Sequence, residues 1–265
     1  MVQWNAVQYL KFQNERTQPA QDLAQRIREA HPEKVLDVGC GPGNSTRVLA
    51  DVFPGADILG IDASPTMIKA AGTNHPDLTF KLCDAGKELP KLGRDFDIVF
   101  SNACLQWVPN HPKLLPELLG LLNPGGILAV QIPMNQDEPI HKIIQDLATS
   151  DSWREAFPHP RIFYTLPPGR YVDLLAEIAA DFTVWQTTYF HRLRSHQDIL
   201  EWYRGTGLRP YLDALPDARK PAFEEAVLSR VVAAYPLQKN GEVIFRFPRF
   251  FFIAMARTDG ADHAA

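Results

Sequence analysis

The first half of the chain is punctuated by short runs of branched apolar residues at 35–38, 58–61, 78–82, 98–100 and 127–132. Runs this compact, without polar alternation, predict strands buried on both faces of a parallel sheet. Helical patterns lie between several of them. Ser64-Pro65 predicts an N-cap followed by proline at the first helical position, with Gly72 just past the helix end. Leu114, Leu115, Leu118, Leu119 and Leu122 form an apolar stripe that Asn123-Pro124-Gly125-Gly126 is expected to stop. Strands alternating with helices predict right-handed βαβ units, hence an α/β protein with a doubly wound, Rossmann-like sheet.

The second half is less regular. The pattern predicts helices over 139–150 and 170–180, a proline-rich loop over 158–169 and a long strand over 182–190. It then predicts helices within 195–240, broken at Gly205, Gly207, Pro210 and Pro216, and a last strand over 247–256. The organisation expected is a single domain, 1–265. It comprises an N-terminal lid segment and helix in 1–30, a cofactor-binding core in 31–135, and a helical substrate cap over 192–246 inserted before the last strand. The tail, 259–265, is expected to be disordered.

Composition narrows the functional classes. A 45% hydrophobic share over 265 residues argues against a disordered chain. The formal net charge of -4 argues against a broadly basic nucleic-acid or anionic-membrane binder. The charge is unevenly spread, however. Residues 186–257 hold 11 Lys+Arg against 7 Asp+Glu, a local balance of +4, which leaves -8 on the remainder. No apolar run approaches the roughly 18 residues of a membrane span, and the N-terminus lacks a signal-peptide pattern. Cys40, Cys83 and Cys104 are odd in number and widely spaced, which predicts a reducing compartment, the cytoplasm, and no disulfide framework. They read as small buried hydrophobes, and His191 and His196 as packing or capping residues. No metal site is expected, because zinc-ligand spacings are missing.

The candidate chemistry lies at strand ends. Asp37-Val38-Gly39-Cys40-Gly41-Pro42-Gly43 directly follows the first predicted strand and precedes a helix start at Asn44-Ser45-Thr46. Glycines there permit a sharp turn and close approach of a ligand. A dinucleotide fingerprint wants a small residue where this chain has Asn44, which weakens a nicotinamide reading. Asp62 ends the second strand and suits two ribose hydroxyls, Asp84 ends the third, and Asn102 ends the fourth. Each feature alone is matched by a plain tight turn or a helix cap. Their joint placement at the carboxyl ends of consecutive strands favours a ligand site.

On these residues the chain resembles the class I methyltransferases that use S-adenosylmethionine: Asp37 to Gly43, Gly60-Ile61-Asp62-Ala63-Ser64-Pro65, Asp84, and Ser101-Asn102-Ala103. A second set, running through nearly the whole chain, is similar to the trans-aconitate 2-methyltransferase family. It includes Trp4-Asn5, Tyr9, Ala103-Cys104-Leu105-Gln106-Trp107, Gln131-Ile132-Pro133, Glu138-Pro139, Thr188-Tyr189, Ser195-His196, Thr206-Gly207-Leu208-Arg209-Pro210, Tyr235-Pro236-Leu237 and Phe247-Pro248-Arg249. The likeness is weakest at 85–95 and 150–170.

The resemblance implies a seven-stranded sheet whose last strand is antiparallel, and methyl transfer from S-adenosylmethionine to a carboxylate of a small polycarboxylic acid, trans-aconitate. It implies that Asp37, Gly39 and Gly41 border the methionine part of the cofactor. Asp62, followed by Ala63 in the same motif, would hold the ribose, and Asp84 with Ala85 the adenine. Asn102, Ala103 and Gln106 would line the sulfonium side. A carboxylate acceptor is already ionised at pH 7, so no catalytic base is expected. Arginine suits the remaining carboxylates bidentately. Arg209 and Arg249 are therefore the candidates, ahead of Arg246, with Tyr9 and Tyr189 as hydroxyl donors and Trp107 as a wall. The alternatives are a methyltransferase with another small acceptor, one acting on nucleic-acid amino groups, a nicotinamide oxidoreductase on the same fold, and a non-catalytic ligand-binding module.

Overall fold

All five apolar runs of the first half form parallel strands of one sheet in a computed structural model, which describes residues 13–158 and 163–258. The strands are β1 (Lys34–Val38), β2 (Asp57–Asp62), β3 (Thr79–Leu82), β4 (Phe96–Asn102) and β5 (Leu122–Pro133). Helices α1 (Gln13–Arg26), α2 (Asn44–Val52), α3 (Pro65–Asn74) and α4 (His111–Leu119) belong to the same half. The second half adds α5 (Pro139–Ala148), α6 (Pro168–Ile178), β6 (Asp181–Leu193), α7 (His196–Arg204), α8 (Arg209–Ala214), α9 (Lys220–Ala234) and β7 (Val243–Met255). The seven strands lie in the order β3-β2-β1-β4-β5-β7-β6. Strands β1 to β5 pair in parallel, and β7 runs antiparallel to β5 from Ile127 opposite Met255 to Pro133 opposite Arg249. The chain order reverses at β1, between β2 and β4, the place where open sheets of this class bind ligands.

Some boundaries differ from the sequence expectation. Gly72 sits inside α3, which runs to Asn74 and is closed by the His75 N–H on the Ala71 carbonyl. Nothing crowds Gly72 and its φ is not positive, so it carries no stop signal. The leucine stripe ends one turn earlier than its pattern suggests. The Gly120 N–H bonds the Pro116 carbonyl, and Leu122 already pairs opposite Phe96 in β5. The expected stop, Asn123 to Gly126, is a bulge within the strand, with Gly125 at φ +74 and the register shifting between Phe96 and Ile98. Pro210 begins α8 instead of breaking a helix, because a first-turn residue has no intrahelical N–H bond to lose. Pro168 and Gly169 likewise open α6 where a loop was expected.

The described chain forms two compact units. One takes in residues 14–133, 163–187 and 249–258; the other takes in 134–158 and 188–248. The expected cap, 192–246, lies wholly in the second. In the first, Val35, Leu36, Ile61, Val99, Phe100, Leu128 and Phe252 are fully buried. In the second, Ile140, Ile144 and Leu147 of α5, Ile199 and Trp202 of α7, and Phe223, Val227 and Val231 of α9 enclose an apolar core with Phe245 and Phe247. A capping box opens α7: the Ser195 and Asp198 side chains each satisfy the other's backbone. No described helix is long and apolar enough to cross a membrane.

Candidate active site

The loop between β1 and α2 is built on left-handed glycines: Gly39, Gly41 and Gly43 have φ of +77°, +55° and +95°. The Gly39 and Cys40 N–H groups both donate to the Ile61 carbonyl, which ties the loop to β2. Gly39 is required by protein packing. A Cβ there would stand 2.2 Å from the Cys104 Sγ. At Gly41 the same position is open space, so the ligand approach expected of the glycines belongs to Gly41.

Asp37 is completely buried at the end of β1. Its Oδ2 accepts from the Ser45 and Thr46 hydroxyls at 2.6 and 2.7 Å, both from the first turn of α2. Its Oδ1 is buried and carries no hydrogen bond. Burial raises the carboxyl from its ordinary 3.8 to about 6; the two hydroxyl bonds offset part of that, and the nearby Asp62 charge adds to it.

Asp62 at the end of β2 uses both oxygens. Oδ2 accepts from the Gly41 N–H at 3.1 Å and Oδ1 from the Ser64 N–H at 2.8 Å. One carboxylate thereby fixes the glycine loop to the N-cap of α3. Burial raises its pKa in spite of these two bonds. Ala63 is exposed beside it. Asp84, past the end of β3, accepts from the Gly86 N–H and pairs with Lys87 at 3.1 Å, and Ala85 next to it is buried.

At the end of β4 the chain turns through Ala103, a non-glycine residue at φ +55. Such a conformation costs about 1–2 kcal/mol and persists only where surrounding contacts enforce it. Here the Ala103 N–H donates to the Gln131 carbonyl, and the Ala103 carbonyl accepts from the Gln106 Nε2 at 2.7 Å. The Asn102 Oδ1 and Gln106 Oε1 are buried without a hydrogen bond. Trp107 follows in the same short turn, with its ring 5.2 Å from that of Phe163. Asn102 lies opposite Gln131 on β5, and the Gln131 Oε1 accepts from the Arg249 Nη1 at 3.1 Å. Arg249 is only 4% exposed. Gln131 stands in the family-like Gln131-Ile132-Pro133, but the sequence assigns it no role at the site. Glutamine in an apolar strand has no local signature, and only strand pairing brings it to Arg249. Cys40 and Cys104 are held in the thiol form by burial, first, and by the neighbouring Asp37 and Asp62 carboxylates.

Tyr9 is outside the described residues. Tyr189, half-buried on β6, and Arg209, at the start of α8, belong to the second unit. There Arg209 pairs with Asp213 at 3.4 Å. Arg246 pairs with Glu138 at 3.8 Å, and His196 contacts the Tyr235 carbonyl.

This arrangement coincides with broad sequence likeness. Residues 31–194 match a family described as "Methyltransferase domain". A trans-aconitate 2-methyltransferase of Methylobacterium radiotolerans is 43% identical over 258 residues, covering 96% of this chain and 98% of the relative. One of Rhizobium meliloti is 42% identical over 255 residues, covering 96% and 98%. Among solved structures, the YcgJ protein of Bacillus subtilis superposes with a TM-score of 0.58 at 14% identity, covering 91% of this chain and 99% of that one. Phosphoethanolamine N-methyltransferase 2 of Haemonchus contortus, in complex with S-adenosyl-L-methionine, gives a TM-score of 0.58 at 17% identity over 96% and 56%. The two structures support the fold, and the two relatives extend the likeness through both units. The chain belongs to the trans-aconitate 2-methyltransferase family of methyltransferase-domain proteins.

Proposed function

We propose that this protein methylates a carboxylate of a small polycarboxylic acid, trans-aconitate, with S-adenosylmethionine as donor. The observation that carries this reading is the likeness to the named relatives through both units. A nicotinamide oxidoreductase would share the sheet without that likeness. The residues suit the donor. Gly41 leaves its flank open, and Asp37 Oδ1 and Asn102 Oδ1 are buried acceptors with unused capacity, as an ammonium-bearing ligand needs. Asp37, Gly39 and Gly41 would border its methionine part, Asp62 with Ala63 its ribose, and Asp84 with Ala85 its adenine. Asn102, Ala103 and Gln106 would face the sulfonium.

S-adenosylmethionine supplies, when bound, an electrophilic methyl group on a cationic sulfur. The protein's task is to align an acceptor that is already ionised and to exclude water, because opposite charges cancel more readily in a site of low dielectric. No residue need remove a proton. Trp107 and Arg249 are the acceptor-side residues we assign in the unit that carries the glycine loop.

The test is a panel of di- and tricarboxylates with methyl-labelled donor and mass detection of the ester. Label on trans-aconitate supports the reading, and label on no polycarboxylate defeats it. In the same assay Arg249→Ala is expected to raise the acceptor KM by about ten- to a hundredfold, the size of a lost charged contact, while the dissociation constant of S-adenosylhomocysteine stays within about twofold. Equal loss of both affinities would make Arg249 a residue of the sheet alone.

A pH dependence follows from Asp37. In the folded chain its carboxyl titrates near 6, above its ordinary 3.8. The folded protein therefore holds an extra proton between those values, so this group's contribution to apo stability falls as pH rises through that window. A cationic ligand favours the carboxylate. S-adenosylhomocysteine, which keeps the α-ammonium, is expected to bind more tightly as pH rises through about 6, and Asp37→Asn should flatten that step in calorimetric titrations. An unchanged step in Asp37→Asn would assign the ionisation to another group.

A further inference from the structure

We infer that His111 and Tyr171 are positioning residues that clamp residues 105–107 to residues 163–166, making the two stretches one wall of the acceptor site; this rests on the methyl-transfer reading above. His111 opens α4 and is 1% exposed; Tyr171, in α6, is completely buried. The His111 Nε2 lies 2.9 Å from the Leu105 carbonyl oxygen and Nδ1 lies 2.6 Å from the Tyr171 hydroxyl. A carbonyl can only accept, so Nε2 carries the proton and Nδ1 offers a lone pair. The Tyr171 hydroxyl must then donate to Nδ1, and its oxygen accepts from the Leu166 N–H at 3.3 Å. The bonds run in one direction, from the Leu166 N–H through Tyr171 and His111 to the Leu105 carbonyl. Burial keeps the imidazole neutral, in agreement with that assignment.

Both ends of this relay reach residues already placed at the site. Leu105 opens the turn that carries Gln106 and Trp107. Leu166 closes a stretch in which the Phe163 ring meets Trp107 and the Tyr164 N–H donates to the Gln106 carbonyl at 3.1 Å. That stretch is neither helix nor strand and is followed by Pro167-Pro168, so it has no ladder of its own to hold it. Two direct contacts bind it to the turn, at Gln106 and Trp107, and the three hydrogen bonds through Tyr171 and His111 bind it indirectly at Leu105. The Tyr171 ring also stacks on Phe250, at 5.4 Å, and lies 5.9 Å from Phe252. Phe250 is the neighbour of Arg249 on β7. One buried tyrosine therefore braces the strand that carries Arg249 with its ring, and the turn that carries Trp107 with its hydroxyl.

Tyr171→Phe keeps the ring packing and removes only the hydroxyl. It is expected to raise the acceptor KM about tenfold, the size of one or two lost neutral hydrogen bonds. The S-adenosylhomocysteine dissociation constant should stay within about twofold, because the Gly41–Asp62–Ser64 links are untouched. His111→Leu should reproduce that change. His111→Gln, whose amide both donates and accepts, should restore most of the wild-type KM. A drop in melting temperature with KM unchanged would show the pair to be core packing only and would overturn the inference. So would equal KM defects in His111→Gln and His111→Leu. If the wild-type protein methylated no polycarboxylate, the methyl-transfer reading and this inference would fall together; an unchanged KM in an active enzyme defeats the inference alone.

Discussion

Gly39→Ala is expected to be among the most damaging single-methyl changes in this chain, abolishing measurable S-adenosylhomocysteine binding and lowering the melting temperature steeply. Two separate penalties fall on one atom. The backbone there is left-handed at φ +77, which costs an alanine about 1–2 kcal/mol. The new Cβ would also stand 2.2 Å from the Cys104 Sγ and 2.3 Å from its Cβ. Overpacking of this kind costs roughly 1–3 kcal/mol when neighbours can shift. Here they are held: the Gly39 N–H is bonded to the Ile61 carbonyl, and Cys104 follows Ala103, itself at positive φ between two hydrogen bonds. Either the loop leaves Ile61, which displaces Gly41 from Asp62, or the 102–107 turn moves. Combining Gly39→Ala with Cys104→Ala should recover little, because the Cys104 Cβ is retained. Cys104→Gly should recover the packing part and leave the conformational part. Wild-type ligand affinity and melting temperature in Gly39→Ala would refute this account of the loop.

That glycine shows what the sequence makes legible. The sheet could be read because strands buried on both faces need continuous apolar runs, and all five runs are strands. The strand-end polar residues Asp37, Asp62 and Asn102 could be read because an open parallel sheet sets the carboxyl ends of β1, β2 and β4 side by side. The purpose of Gly39 could not, because Cys104 lies far along the chain and only the β1–β4 pairing brings it near. The charge arithmetic has the same limit. By itself, an excess of +4 over 186–257 points to a basic cap for a polyanion. In the structure Arg192 pairs with Glu242, Arg204 with Glu201 and Glu224, Arg209 with Asp213, and Arg246 with Glu138. Only Glu138 lies outside the counted stretch, so these pairs neutralise one charge of the excess and otherwise engage acids already counted in it; partly exposed pairs of this kind contribute little stability. Arg249 is almost wholly buried, and its Nη1 donates to the Gln131 side-chain oxygen. Its place among Phe247, Phe250, Phe251 and Phe252 is visible in the sequence. His111 and Tyr171 carry no such sign, and Gln131 shows only within the family-like Gln131-Ile132-Pro133, since pairing partners 60 or 118 residues apart leave no local pattern.

Asp62 carries the other large expectation. Asp62→Ala should weaken S-adenosylhomocysteine by at least about a hundredfold, because it removes two charge-assisted hydrogen bonds at roughly 1.5–3 kcal/mol each and with them the link between the Gly41 and Ser64 amides. Asp62→Asn should be nearly as harmful. Both carboxylate oxygens accept from N–H groups, whereas an amide offers one acceptor and turns an NH2 group against the second donor. Two origins of the loss are separable. If Asp62 only shapes the loop, removing a ribose hydroxyl from the ligand should cost wild type and Asp62→Ala the same affinity. If it binds the ribose directly, the deoxy ligand should be weaker than its parent on the wild-type protein and equal to it on Asp62→Ala. That second pattern is the one expected, because Gly41 beside the carboxylate has open space where a side chain would stand, and the burial that raises the Asp62 pKa also strengthens a hydrogen bond made there. Unchanged affinity in Asp62→Ala would remove the residue from the site, and with it the assignment of the β2 end to the ribose.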